Sequence, residues 1–203
     1  VADISVNELS DSAQKLAVHA RNAQRQGNWD YALNVSGELL RIEPGCIAVR
    51  KLHREAHLQK QKSGRKSSLW RKVKGGLLQV RPTSGDDDIA KVDSVLQADP
   101  DSRSGWRQLA EIARLKNWPE TELFAWQELG SLEPKNLASA TALTDLYLAK
   151  GMQAEAGMLV GRLIKSRPRD PAVIELHRKV TVAQTLKKGN WEGDGTFRDK
   201  LRD

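Results

Sequence analysis

The sequence predicts an all-α fold, a row of helix-turn-helix pairs, on three observations. Pro100, Pro134 and Pro168 stand at intervals of 34 residues, in "LQADPDS", "SLEPKN" and "KSRPRD". Each follows one amphipathic stretch and precedes another, where a residue that cannot donate a helical hydrogen bond belongs. A fourth proline, Pro44 in "RIEPGC", precedes Pro100 by 56 residues, one interval plus 22.

The elements follow in chain order. The first pair, 13–46, joins "SAQKLAVHARNAQRQ" to "GNWDYALNVSGELLRIEP". The second, 47–102, begins with "IAVRKLHREAHLQK" and ends with "DIAKVDSVLQADP"; the 22 extra residues fall between these, as a basic insertion near 60–82 at the turn of the pair. The third, 103–136, pairs "SRSGWRQLAEIARLK" with "KNWPETELFAWQELGSLEP", and the fourth, 137–170, pairs "LASATALTDLYLAK" with "KGMQAEAGMLVGRLIKSRP". Apolar or small residues recur every three or four positions in each. A closing helix over 171–187 starts with Asp170 as N-cap and Pro171 in the first turn. The array therefore occupies 1–187, and the Gly-rich residues 188–203 form a tail.

These windows resemble the tetratricopeptide repeat family, whose signature runs Trp, Leu and a small residue, Tyr, Ala, an aromatic and Pro. In 103–136 Trp106, Leu109, Ala110, Trp126 and Pro134 match, with Ala113 in place of Tyr and Glu122 in place of Ala. In 137–170 Leu143, Tyr147, Gly151, Ala156 and Pro168 match, with Ala140 where Trp is common. In 13–46 Ala20, Gly27, Ala32 and Pro44 match, with Leu16 for Trp. The resemblance implies a right-handed superhelical solenoid of about four repeats plus the closing helix, and a non-catalytic adaptor or scaffold that binds a peptide or helix on its concave surface. Small residues such as Ala20, Ala32, Ala110 and Ala156 would let helices approach, and Trp106, Trp126 and Tyr147 would fill the gaps.

Charge is local. Residues 47–81 hold eleven Lys or Arg against one acid, Glu55, a balance of +10; the whole chain is +7, so the remainder is −3. The stretch 60–74, with Arg65, Lys66, Arg71, Lys72 and Lys74, is a candidate basic patch. Clustered cations release counterions from phosphates, so nucleic acid, an anionic membrane and an acidic protein partner stay open beside a merely solvated insertion. Trp70 is its only aromatic, a poor stacking platform. No apolar run approaches the roughly 20 residues that cross a bilayer, so no transmembrane segment is expected. A single cysteine, Cys46, excludes an internal disulfide framework and points to the cytoplasm.

No catalytic, metal or cofactor site is expected. His53 and His57 are four apart, but no third ligand stands nearby and both are read as surface residues. Asp86, Asp87 and Asp88 lack the alternating spacing of a calcium loop and are read as first-turn acids after a "TSG" cap. Cys46 has no evident base, and "SGRKSS" is not a phosphate loop.

Binding is instead projected onto the first helix of each pair, which lines the concave face in the family. The projection names Arg21 and Gln24, Lys51 and Glu55, Arg107, Glu111 and Arg114, and Thr141, Asp145 and Leu148. The family's chaperone-binding clamp of Lys and Asn is not reproduced at the matching Ala17 and Arg21. A homo-oligomer, formed as the exposed end of one array stacks on the next, is the remaining alternative.

Overall fold

The same two turns recur along the chain, and each follows from a few residues. The structure, a computed structural model, describes residues 3–63 and 85–188. Among these lie nine α-helices: α1 (Asp11–Arg25), α2 (Trp29–Ile42), α3 (Ile47–Lys62), α4 (Asp86–Ala98), α5 (Arg103–Leu115), α6 (Pro119–Leu132), α7 (Leu137–Ala149), α8 (Gln153–Ser166) and α9 (Pro171–Lys188). The helices α7 and α8 begin 34 residues after α5 and α6, at 137 against 103 and 153 against 119.

Three of the pairs close through one turn. Gly27, Asn117 and Gly151 hold equivalent positions and have φ of 72°, 57° and 69°, the left-handed region that ends a helix. At each, the next amide reaches back five residues: Asn28 N–H to Ala23 O at 2.9 Å, Trp118 N–H to Ala113 O at 2.8 Å, and Met152 N–H to Tyr147 O at 2.8 Å. The links between pairs match as well. Glu43, Asp99, Glu133 and Arg167 each donate to the carbonyl four residues back, and Cys46, Ser102, Asn136 and Asp170 then donate to those four residues. Ser10, Ser102, Asn136 and Asp170 cap the helices that follow. Asp170 caps α9 as the sequence predicts, whereas α4 starts at Gly85 with no side-chain cap, and residues 82–84 lie outside the described residues.

By contacts the chain forms two compact units, Val1–Ala125 and Trp126–Asp203, divided inside α6. In the second, α9 repeats the placement of α7. Lys179 meets Asp145, its equivalent 34 residues earlier, at 2.8 Å, and Lys187 meets Gln153 Oε1 at 2.8 Å. Leu143 lies against Gly130, where an added Cβ would sit 3.4 Å away, and Tyr147 OH meets Gln127 at 3.2 Å.

The first unit departs from a uniform stack. Stacked equivalent pairs keep corresponding helices parallel and the two helices of a pair antiparallel. Here Arg50 meets Asp93 while Arg54 meets Pro100 and Asp101, so residue numbers rise together along α3 and α4. Helix α5 runs against α3: Arg54 lies 5.4 Å from the Trp106 ring, whereas Gly45, ahead of α3, lies 3.2 Å (from its ideal Cβ) from Trp118, after α5. Helix α6 then runs with α3, since Lys51 lies 5.9 Å from the Phe124 ring. Residues 47–102 are therefore not a hairpin with an insertion at its turn. Their helices run the same way, so joining them takes a crossover and not a short turn; residues 64–84, which join them, lie outside the described residues.

The core is as predicted at its small residues: Ala20, Ala32, Ala110 and Ala156 are fully buried. Trp106 and Tyr147 are also buried, and Trp118 and Phe124 join them in the core, whereas Trp126 is half-buried. Trp118 covers Gly45, a close approach that the absence of a side chain permits. No helix among the described residues is long and apolar enough to cross a membrane.

Candidate functional site

The projected residues lie on α1, α3, α5 and α7. On α1 Arg21 is exposed and Gln24 half-buried; on α3 Lys51 and Glu55 are exposed. On α5 Arg107 and Arg114 are exposed and Glu111 half-buried, but this helix is reversed against α3, so its residues leave the register in which the row was projected. On α7, in the second unit, Asp145 is engaged by Lys179, with Thr141 and Leu148 half-buried. Lys51 in addition faces the Phe124 ring. The basic patch Arg65, Lys66, Arg71, Lys72 and Lys74 lies outside the described residues.

What the first unit does bring together is a buried polar cluster around α3. Arg50, 3% exposed, makes a two-pronged ion pair with Asp93: Nη1 meets Oδ1 and Nη2 meets Oδ2 at 3.1 Å. Its Nη2 also donates to Pro44 O at 2.8 Å, while Nε has no hydrogen-bond partner among the described residues. One turn on, Arg54 donates to Pro100 O at 2.8 Å and Asp101 Oδ1 at 3.0 Å and lies over Trp106, whose Nε1–H donates to the same Pro100 O at 2.9 Å. Beside the two arginines is a cavity of about 20 Å³ lined by Leu40, His53, His57 and Gln97 among others, room for about one water.

His53 and His57 belong to this cluster and not to the surface. His53 is 9% exposed and His57 half-buried, with Nε2 atoms 3.2 Å apart. The hydroxyl of Ser36, on α2, donates to Ala32 O at 2.6 Å, so its oxygen accepts from His53 Nδ1–H at 2.8 Å. His53 Nε2 is then the acceptor for His57 Nε2–H, which sets both tautomers. Burial, followed by the neighbouring His57 and Arg50 charges, lowers His53 from 6.5 to about 3; burial, followed by Arg54 and Lys60, lowers His57 from 6.5 to about 4. Both rings are neutral at pH 7.

Apart from Arg50 Nε, the groups named here are engaged with other groups of the protein, and the cluster's effect is to lock α3 to α2, α4 and α5. Among the described residues no three His, Cys, Asp or Glu side chains gather where a metal could sit. Cys46 is fully buried, beside Ile4. Two members carried signals in the sequence that the groove projection passes over. Asp93 stands among Ile89, Val92 and Leu96, and Ser36 among Leu33 and Leu40, each on the apolar face of its helix, where a polar residue needs a partner.

A second described feature joins distant residues. The Asp3 carboxylate accepts from the amides of Glu120 at 2.6 Å and Thr121 at 3.0 Å, and from the Thr121 hydroxyl. Compared with known proteins, the chain matches no family model and no curated protein.

Proposed function

We propose that the protein is a non-catalytic adaptor of the tetratricopeptide type, with helix pairs that present polar faces to a protein segment. The observation that supports this reading is the recurrence of one turn geometry at Gly27, Asn117 and Gly151. Identical turns at equivalent positions are what stacked pairs require, and such arrays leave one helix face per pair free for a guest. The parallel course of α3 and α4 and the division of the chain inside α6 qualify the reading: binding belongs to the faces within each unit. In the first unit that face carries Arg21, Lys51 and Glu55; in the second it carries Thr141 and Leu148.

The partner we propose is an extended or helical peptide, engaged in the cytoplasm. The test is a binding selection against a peptide library, repeated with Arg21→Ala/Lys51→Ala/Glu55→Ala. Peptides retained by the wild type and released by the triple variant support the reading; peptides retained equally by both remove it. The +10 balance of 47–81 favours one second reading, contact of the basic stretch with a polyanion. Alanine at Arg65, Lys66, Arg71, Lys72 and Lys74 would then abolish a binding that also collapses with added salt.

A further inference from the structure

The start of the chain reaches a helix more than a hundred residues away. Residues Asp3–Leu9 cross the link between α2 and α3, where Ile4 N–H donates to Gly45 O at 3.0 Å, and end at the first turn of α6. The residue before that turn cannot cap it. Asn28 caps α2 in the first pair, but the equivalent of Trp29 in the third pair is Pro119 and the residue before it is Trp118, whose side chain holds no acceptor. Asp3 takes over the task, accepting from two of the amides that a helix start leaves unpaired. The charge suits the place, because a carboxylate at a helix N-terminus is stabilised by the helix dipole.

We infer that Asp3–Leu9 is a releasable strap, which holds α6 down over α3 and so keeps the Phe124 ring beside Lys51 on the otherwise exposed side of α3. Its hold is narrow. Leu9 at its far end is buried in the core and the Asp3 to Thr121 bonds are part-buried, but between them the short 3-10 turn Val6–Glu8 has no buried residue, Ile4 and Val6 only partly pack on the core, and the Asp3 to Glu120 bond is exposed. Segments held by few buried contacts open at the low end of a protein's local stabilities. What lies under the strap is tightly closed: Cys46 is 0% exposed and Trp118 is 7% exposed. Letting go at Asp3 therefore frees the start of α6, turns Trp118 off Gly45 and takes Phe124 away from Lys51. The functional use of this motion, admitting a peptide to the α3 face, rests on the adaptor reading; the motion itself does not.

The test uses the full chain and two readouts, hydrogen exchange at residues 119–125 and the reaction of the Cys46 thiol with a disulfide reagent. In Asp3→Ala both rates rise roughly tenfold, the loss of about 1.4 kcal/mol of capping, while exchange in α1, α2 and α8 stays at the wild-type rate. Asp3→Asn, which keeps an acceptor oxygen, falls between. Thr121→Val raises the same rates by a smaller factor, and adds nothing once Asp3 is already Ala. Unchanged rates in Asp3→Ala overturn the strap, and so does a rise shared equally by α1 and α2, which marks general loosening. If the rates respond as expected but peptide affinity for the first unit does not change between wild type and Asp3→Ala, the strap stands and its part in the adaptor reading falls.

Discussion

At the scale of single residues, the interior of the first unit holds an ion pair, Arg50 with Asp93, that the groove projection passes over. Arg50 and Asp93 are 4% and 7% exposed at the side chain, and a buried charge that loses its partner is costly. Asp93→Ala should lower the stability of the first unit by about 3–5 kcal/mol in urea unfolding, and Arg50→Met/Asp93→Leu should recover most of the loss, because apolar replacement of a whole pair is often neutral. The histidines give a pH signature. Their folded values, about 3 and about 4, lie below the unfolded 6.5, so the stability from neutral rings is complete above pH 6.5 and is lost as pH falls through that window. One unit below 6.5, at pH 5.5, two such groups remove about 2–3 kcal/mol. Unfolding at pH 7.5 and 5.5 measures it, and His53→Leu/His57→Leu should flatten the difference. These residues were hard to read because a lone polar side chain on an apolar face looks the same in sequence whether it finds a partner or is edged into solvent; the partners of Arg50 and Arg54 lie 43 to 47 positions downstream.

At the scale of elements, the 34-residue spacing of prolines carried nearly all the information. A proline after each second helix and a left-handed residue after each first helix are local demands, met by a few neighbouring residues, so helix ends are legible to within a residue or two. The turn residues are open to test. Gly151→Ala places a side chain at φ 69° and should cost about 1 kcal/mol, whereas Asn117→Gly relieves the same strain and should be neutral or stabilising, both by urea midpoint. Gly105→Ala puts a Cβ 2.8 Å from the Leu96 side chain and should cost about 1–3 kcal/mol by overpacking at the α4–α5 contact. The misreading of Trp126 as core has the same local origin: the family pattern selects an aromatic by position, while burial of Trp118 depends on Gly45, which comes from another pair.

At the scale of the whole molecule, direction was the property the repeat could not reveal. Spacing reports that helices recur and is silent on whether a long connection folds back or crosses over. Replacing 64–84 with a four-residue turn decides between these. A hairpin would tolerate the change, with the thermal midpoint kept or raised; parallel α3 and α4 cannot be joined that way, and the variant should lose the cooperative unfolding of the first unit while α7–α9 keep their helicity by exchange. The groove residues were projected on the assumption of one direction throughout, and the reversal of α5 against α3 takes Arg107, Glu111 and Arg114 out of the register of Lys51 and Glu55.

The crossover also orders events during synthesis. As the ribosome releases the chain, α1, α2 and α3 can pack through adjacent hairpins, but Arg50 must stay hydrated until Asp93 emerges 43 residues later. Nascent chains therefore pass through a stage in which three helices are made while Arg50 is wet and the apolar surface around it, Leu40 included, is uncovered, the sort of surface that chaperones hold. Pausing translation just before residue 93 should lengthen that stage, and pausing after residue 101 should not.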